Sequence, residues 1–126
     1  MNKNKANILV GVSGSISLIN VPSYLGYLKY KYGNVQIIMS HSANKLVPAS
    51  TMQLFCDAVH LNEENHASNT NTQHNTMSHI ELARWADAFI IIPATANKIS
   101  EAAAGLGADL MTTTLLAYKG KAIFLS

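Results

Sequence analysis

The chain has 126 residues, of which 48% are apolar and 13% charged, a composition typical of one globular domain. Its formal charge of +2 is spread thinly and the basic residues do not cluster, which argues against a nucleic-acid partner. The single cysteine, Cys56, excludes an internal disulfide, and the apolar run from Ile8 to Val12 is too short for a signal peptide or a membrane span. We therefore expect a cytoplasmic protein without a membrane partner.

Two strands and a helix are predicted in the first third of the chain. Residues 6–12 are mostly apolar, as in a buried strand, and a turn of small residues follows. Apolar residues then recur at helical spacing from Ser17 to about Tyr32, with Pro22 tolerated only in the first turn. Gly33 and the following asparagine end this helix, and residues 35–39 form a second strand.

The middle of the chain is predicted to be helical around a long polar loop. Residues 40–57 are expected to form one or two short helices around Pro48, and residues 62–76 form an exposed loop rich in polar residues. Ser78 and Glu81 have the spacing of a capping box, which predicts a short helix to about residue 85.

The last third repeats the alternation of strand and helix. Residues 88–92 predict a third buried strand, which Pro93 ends, and residues 97–104 predict a helix. Asp109 can cap another helix through residue 118, and residues 121–125 predict a fourth strand.

This alternation predicts a single α/β domain, a Rossmann-like or flavodoxin-like three-layer sandwich with a parallel sheet. Ligands in such folds bind beyond the carboxyl ends of the strands. Two segments of this chain, residues 13–17 and residues 93–97, fall there.

The first segment is a turn of small residues between strand and helix. Its glycines let the backbone approach a ligand, and consecutive N–H groups at a helix start favour a phosphate. The candidate ligand residues are Ser13, Gly14, Ser15 and Ser17. The turn has neither a Walker A nor a dinucleotide fingerprint, so an ordinary tight turn explains it equally well.

The second segment consists of Pro93, Ala94, Thr95, Ala96 and Asn97. Its small residues would let a flat ring approach, and Thr95 and Asn97 offer donors and acceptors for the edge of a heterocycle. The alternative is a plain loop in which Asn97 caps the next helix.

His79 is the candidate base. It follows the predicted cap Ser78, and the helix dipole disfavours the cationic imidazole there, so a neutral ring is available to accept a proton. A surface or half-buried histidine without a catalytic role is the alternative.

The remaining histidines and the cysteine predict no further chemistry. His41, His60, His66 and His74 do not form a pair with metal-ligand spacing within a helix, so we expect no metal site. Cys56 has apolar and acidic neighbours, which do not stabilise a thiolate, so it is interpreted as a core residue.

Four stretches taken together resemble one family, the homo-oligomeric flavin-containing cysteine decarboxylases. The family includes phosphopantothenoylcysteine decarboxylase and the peptidyl-cysteine decarboxylases of lantibiotic biosynthesis. The shared stretches, in the family's order and at about its spacing, are residues 11–16, 79–87, 93–97 and 104–110.

The resemblance implies a role for each candidate. Gly14, Ser15 and Ser17 would hold the flavin phosphate, and Ser40 would lie near the ribityl chain or the ring. Pro93 to Asn97 would line the isoalloxazine, Asp109 and its neighbours would help to close the site, and His79 would be the active-site base. The implied cofactor is FMN, with FAD as an alternative.

The resemblance also implies a substrate and an assembly. The expected substrate is a peptide with a C-terminal cysteine, which is oxidatively decarboxylated to an aminoenethiol, and phosphopantothenoylcysteine is the alternative. Residues 54–57 and the final Asn97 of the second segment favour the peptide. A homo-oligomer, a trimer or a dodecamer, is expected from the family.

The sequence departs from the family at its end. In the family, the strand that matches residues 121–125 leads into a Pro-x-Met-Asn motif and later a substrate clamp. This chain ends at Ser126, before both. We therefore expect residues 1–126 to form a flavin-binding domain that lacks this part. A non-catalytic flavin-binding subunit is a further alternative, and a flavin prenyltransferase ranks below it because the histidine-helix motif differs.

Overall fold

The computed structural model describes residues 5–14, 19–61, 78–92 and 110–125. The strands in these residues are β1 (Ala6–Val12), β2 (Gly33–Met39), β3 (Ala58–Leu61), β4 (Ala88–Ile91) and β5 (Ile123–Phe124). The helices are α1 (Val21–Tyr32), α2 (His41–Leu46), α3 (Ala49–Met52), α4 (His79–Trp85) and α5 (Leu110–Ala117). The predicted polar loop over 62–76 and the predicted helix over 97–104 lie outside the described residues.

The strands form one parallel sheet in the order β3-β2-β1-β4-β5. From β1 the chain moves outward to β2 and β3, then returns across the sheet to place β4 on the other side of β1. This is the doubly wound arrangement, in which the change of direction leaves a crevice between the carboxyl ends of β1 and β4. The predicted fold class is confirmed.

Both faces of the sheet are covered because its strands carry apolar residues on alternate sides. On one face Val10 and Ile37 pack against Leu25 of α1. On the other face Leu9 and Phe89 pack with buried residues of α4 and α5. The result is three layers, with α1, α2 and α3 on one side and α4 and α5 on the other.

The passage from α1 to β2 is more abrupt than predicted. Pro22 lies in the first turn of α1, as expected, and Gly33 ends the helix with a φ of 92°. At this φ an L side chain would be strained, so glycine is required for the reversal. Gly33 is also the first residue of β2, which makes that strand two residues longer than predicted.

The prediction of four strands is wrong in number, because β3 was missed. This short strand contains His60, whose polarity does not indicate a buried strand. The ring is nevertheless buried, and its Nε2 lies 2.6 Å from Oε1 of Gln36 on β2. A cross-strand polar pair of this kind depends on tertiary contact and leaves no periodic signal in the sequence. The last strand, β5, is shorter than the predicted 121–125.

Aspartates tie adjacent strands together at the amino edge of the sheet. Asp57 precedes β3 and accepts a hydrogen bond from the N–H of Val35 at 2.8 Å, while its own N–H donates to the carbonyl of Val35 at 2.7 Å. Asp87 precedes β4 and makes the same reciprocal pair with Asn7, at 2.8 and 2.7 Å. This edge is thus closed by its own hydrogen bonds.

Within the described ranges, no helix is long and apolar enough to cross a bilayer.

Candidate functional site

The two predicted ligand segments begin beside each other at the carboxyl edge of the sheet. β1 and β4 are hydrogen-bonded neighbours, with Gly11 in register with Ile91. The N–H of Ile92, the residue before Pro93, donates to the carbonyl of Gly11 at 2.8 Å. Ser13 follows β1 directly and is buried. The crevice of the doubly wound fold therefore opens between the starts of the two segments.

Gly14 lies in close contact with the residues that follow β2. A Cβ placed on Gly14 would come within 2.5 Å of Oγ and 2.9 Å of Cβ of Ser42. Real Cβ atoms do not approach other atoms so closely, so only glycine fits here without movement of its neighbour. The turn after β1 is thus packed against the start of α2.

Ser40 connects the strand ends to α2. Its N–H donates to the carbonyl of Val12 at 2.9 Å, which extends the pairing of β1 and β2 by one residue. Its Oγ caps α2 by accepting the N–H of Ala43 at 3.1 Å and lies 3.3 Å from Oγ of Ser42. Ser13, Gly14 and Ser40 are therefore brought together, with Ser42 as a fourth member that the sequence prediction missed. The sequence signal that could have indicated Ser42 was the presence of two serines, at positions 40 and 42, directly after the second strand.

His79 is the first residue of α4 and is half-buried. The predicted capping box is present: Oγ of Ser78 accepts the N–H of Glu81 at 3.1 Å, and Oε1 of Glu81 accepts the N–H of Ser78 at 2.9 Å. These two bonds fix the backbone on both sides of the histidine.

The position of His79 along the sheet follows from the connection after α4. Only two residues join α4 to β4, so the helix packs back along the strand. Trp85, at the other end of α4, lies at the amino edge, where its carbonyl accepts a hydrogen bond from Nδ2 of Asn7 at 2.9 Å. The rise of a helix places His79 roughly 9 Å from Trp85 along the axis, toward the carboxyl edge.

Several predicted site residues lie outside the described part of the chain. They are Ser15, Ser17, Pro93, Ala94, Thr95, Ala96, Asn97 and Asp109. Their assignment to the site remains a prediction.

Cys56 is half-buried and packs against the core, in agreement with its interpretation as a core residue. Its Sγ donates to the carbonyls of Met52 at 3.3 Å and Ala58 at 3.5 Å. Burial raises the pKa of the Cys56 thiol to about 11, and the neighbouring Asp57 carboxylate adds to the effect. A thiol with this pKa is protonated at neutral pH and is a poor nucleophile.

A groove of about 640 Å³ lies between α4 and α5, away from the carboxyl ends of the strands. Its lining residues are Ile80, Ala83, Arg84, Ala86, Asp87, Ala117, Tyr118, Lys119 and Gly120. None of the predicted site residues that the structure describes contributes to it. The predicted site residues that the structure describes lie instead at the carboxyl edge of the sheet.

Two curated proteins are similar to this chain over most of its length. The mersacidin decarboxylase of Bacillus sp. (strain HIL-Y85/54728) is 40% identical over 117 residues, which are 93% of this chain and 57% of that protein. The coenzyme A biosynthesis bifunctional protein CoaBC of Vibrio cholerae serotype O1 is 37% identical over 110 residues, 87% of this chain and 27% of that protein. The chain thus spans little more than half of the first relative and about a quarter of the second.

Solved structures agree with these relatives. MrsD from Bacillus sp. HIL-Y85/54728 superposes with a TM-score of 0.82 at 37% identity, over 96% of this chain and 67% of that one. The peptidyl-cysteine decarboxylase EpiD superposes with a TM-score of 0.79 at 26% identity, over 97% and 70%. The FMN-dependent cysteine decarboxylase SpaF has the same TM-score at 25% identity, over 96% and 67%.

The family assignment rests on the whole length of the chain rather than on any one motif. The model of the Flavoprotein family matches residues 1–125. The resemblance found from the four stretches is confirmed, and the chain belongs to the Flavoprotein family.

Proposed function

We propose that this chain is the flavin-binding core of an FMN-dependent decarboxylase that acts on the C-terminal cysteine of a precursor peptide. The observation that carries the proposal is the adjacency of β1 and β4, with Ile92 bonded to Gly11 at 2.8 Å. It makes the two small-residue segments start at one crevice, as a single ligand with a phosphate and a flat ring requires. The mersacidin relative and EpiD support the peptide substrate.

The described residues fit a flavin. Gly14 has no room for a side chain beside Ser42, so the turn after β1 requires glycine at this position. Ser13 and Gly14, with Ser15 and Ser17, would hold the phosphate, and Ser40 would lie near the ribityl chain or the ring. Pro93 to Asn97 would line the isoalloxazine, with Asp109 closing the site. FMN is proposed over FAD because the FMN-dependent relative SpaF shares the fold. A homo-oligomer (trimer or dodecamer) in the cytoplasm is proposed from the family resemblance.

The protein's own part in the chemistry is binding, orientation and proton transfer. When bound, a flavin would supply the two-electron oxidation of the cysteine side chain that makes loss of CO₂ possible. His79 would accept the proton that leaves the substrate. The capping box fixes the backbone of the helix start that carries the imidazole.

The first test is whether the purified protein binds flavin. We expect a yellow protein with the absorbance band of bound FMN, and a colourless protein indifferent to added FMN and FAD would contradict the proposal. A peptide ending in cysteine should then lose CO₂ and two hydrogens, which mass spectrometry detects. His79→Asn should keep the flavin and lose the turnover, because the base is removed but the binding residues remain.

The second candidate is phosphopantothenoylcysteine decarboxylation, favoured by the similarity to CoaBC. The same assay separates the two, because phosphopantothenoylcysteine would lose CO₂ alone. Bound flavin without turnover of either substrate would indicate a non-catalytic flavin-binding subunit.

A further inference from the structure

Asn7, near the start of β1, is bonded to the end of the helix that carries His79. Its Nδ2 donates to the carbonyl of Trp85, the last residue of α4, at 2.9 Å. Its backbone N–H donates to Oδ2 of Asp87 at 2.8 Å, and its carbonyl accepts the N–H of Asp87 at 2.7 Å. One residue of the sheet thus holds both the end of α4 and the short connection that follows it.

The carboxamide of Asn7 has a defined orientation. Asn34 lies in register with Asn7 on β2, and its Nδ2 donates to Oδ1 of Asn7 at 3.0 Å. Because an amide oxygen accepts and an amide nitrogen donates, this bond directs Nδ2 of Asn7 toward the carbonyl of Trp85. Asn34 belongs to the same network, but its hydrogen bond goes to Asn7 and not to α4.

The tilt of α4 on the sheet determines where the His79 ring lies. The capping box joins Ser78 to Glu81 within the helix itself, so these two bonds do not tie the helix to the sheet. Leu82, in the middle of α4, is buried against apolar residues of β1 and β4, but an apolar contact is not directional and permits a small tilt. Residues 79 and 82 are about 4.5 Å apart along the axis, so a tilt of about 10° would move the imidazole by roughly 1 Å.

We propose that Asn7 is a positioning residue for His79: its bond to the carbonyl of Trp85 sets the tilt of α4 and thereby the place of the imidazole at the other end of the helix. The inference rests on the proposed function, in which His79 accepts a proton from the substrate. A catalytic group displaced by about 1 Å can lower the rate on the order of 100-fold. A residue at the amino edge of the sheet should therefore affect a reaction at the carboxyl edge.

The test compares Asn7→Ala with Asn34→Ala, two variants that each remove one carboxamide from the same network. Asn34→Ala leaves the bond from Asn7 to Trp85 in place and is the matched control. In the flavin-free protein, the fluorescence of Trp85, the only tryptophan of the chain, should change in Asn7→Ala and stay as in wild type in Asn34→Ala. The imidazole proton signals of His79 in NMR spectra, assigned by their absence in His79→Asn, should follow the same pattern.

Turnover of a peptide that ends in cysteine gives the second measurement. The kcat of Asn7→Ala should fall on the order of 100-fold, whereas that of Asn34→Ala should not change. The FMN affinity of both variants should equal that of wild type, because the residues proposed to hold the flavin lie at the opposite edge of the sheet. Asn7→Asp keeps the shape of the side chain but removes the donor, so it should give the same result if Asn7→Ala does not fold.

The outcomes separate this inference from the function on which it rests. Unchanged Trp85 fluorescence and His79 signals in Asn7→Ala overturn the inference, and so do equal changes in Asn34→Ala. A change at Trp85 without one at His79 also overturns it, because the contact would then secure only the end of the helix. Changed His79 signals with an unchanged kcat overturn the positioning role. A wild-type protein that binds no flavin overturns the proposed function, whereas the NMR comparison still decides whether Asn7 places the ring.

Discussion

The two edges of the sheet use their polar groups in opposite ways. At the amino edge, the carboxylates of Asp57 and Asp87 each accept a backbone N–H of the neighbouring strand, so these polar groups are satisfied within the protein. At the carboxyl edge, Gly14 presents backbone without a side chain, and Ser42 is an exposed hydroxyl. The comparison teaches that the aspartates of the amino edge stabilise the sheet, whereas the carboxyl edge is the one that we propose binds a ligand. Substitutions at the two edges should therefore affect different measurements.

The largest effect is expected from Gly14→Ala at the carboxyl edge. The added Cβ would collide with Ser42, and the displacement of either residue should reduce FMN affinity on the order of 100-fold, consistent with an overpacking cost of about 1–3 kcal/mol. Gly26→Ala in α1 is the matched control, because a Cβ there would meet only Phe55 at 4.0 Å. It should leave FMN affinity unchanged and raise the unfolding free energy by about 0.5–1 kcal/mol.

A double variant sharpens the same comparison. Ser42→Gly removes the two nearest atoms, so the nearest remaining atom to an alanine Cβ at position 14 is the backbone carbon of residue 42, at 3.2 Å. Gly14→Ala combined with Ser42→Gly should therefore bind FMN more tightly than Gly14→Ala alone. Equal affinities for the single and double variants would show that the contact does not limit binding.

Asp57→Asn should act on stability and leave FMN affinity unchanged. Burial opposes ionisation of the Asp57 carboxyl, but hydrogen bonds from the Lys29 ammonium at 2.7 Å and the Val35 N–H outweigh it and lower its pKa. The ion pair is exposed, so we expect a loss of only about 1 kcal/mol in the unfolding free energy at pH 7.

The pH dependence of that loss has a definite sign. A carboxyl whose pKa is lower in the folded protein contributes stability above its unfolded pKa of about 3.9, and that contribution disappears as the pH falls through the folded value. In urea unfolding measured from pH 5 downward, the free energy of unfolding should depend less on pH for Asp57→Asn than for wild type. An unchanged profile would mean that Asp57 does not stabilise this edge.

A second pH-dependent effect on stability is expected from His60, in a higher pH window. Burial lowers the pKa of His60, because the charged ring would lose its hydration. Below pH 6.5, the approximate pKa of His60 in the unfolded chain, the unfolded chain takes up a proton that the folded chain does not. The free energy of unfolding therefore decreases as the pH decreases, until the pKa of the folded protein is reached. The slope is at most about 1.4 kcal/mol per pH unit.

Replacing His60 with Gln should remove that slope from urea unfolding measured between pH 7 and pH 5. The control is His41→Gln, which removes an exposed histidine from the start of α2. If both variants change the profile equally, the slope does not come from the ring buried between β2 and β3.

The last prediction concerns the reactivity of Cys56, one residue before Asp57, and no change in stability. With a pKa of about 11, little of its thiol is ionised at pH 8, so alkylation by iodoacetamide should be about 100-fold slower in the native protein than in urea. Mass spectrometry of the alkylated chain measures both rates. Similar rates would show that this part of the amino edge opens readily.

The sequence by itself determined those helices, strands and turns that depend on interactions between residues close together along the chain. The apolar run of β1, the reversal at Gly33 and the capping box of α4 each depend on neighbours along the chain, and each is found where it was predicted. The register of four weak stretches determined the family, since their order and spacing are themselves properties of the sequence.

Tertiary structure alone decided which distant residues meet. The sequence does not state that β4 pairs with β1, that His60 lies against Gln36, or that Gly14 is packed on Ser42. Each of these contacts joins residues more than twenty positions apart, and it forms only when the sheet brings separate strands together and burial compensates the cost of ordering the chain. The candidate site consists of such contacts, so its ingredients were visible in the sequence while its assembly was not.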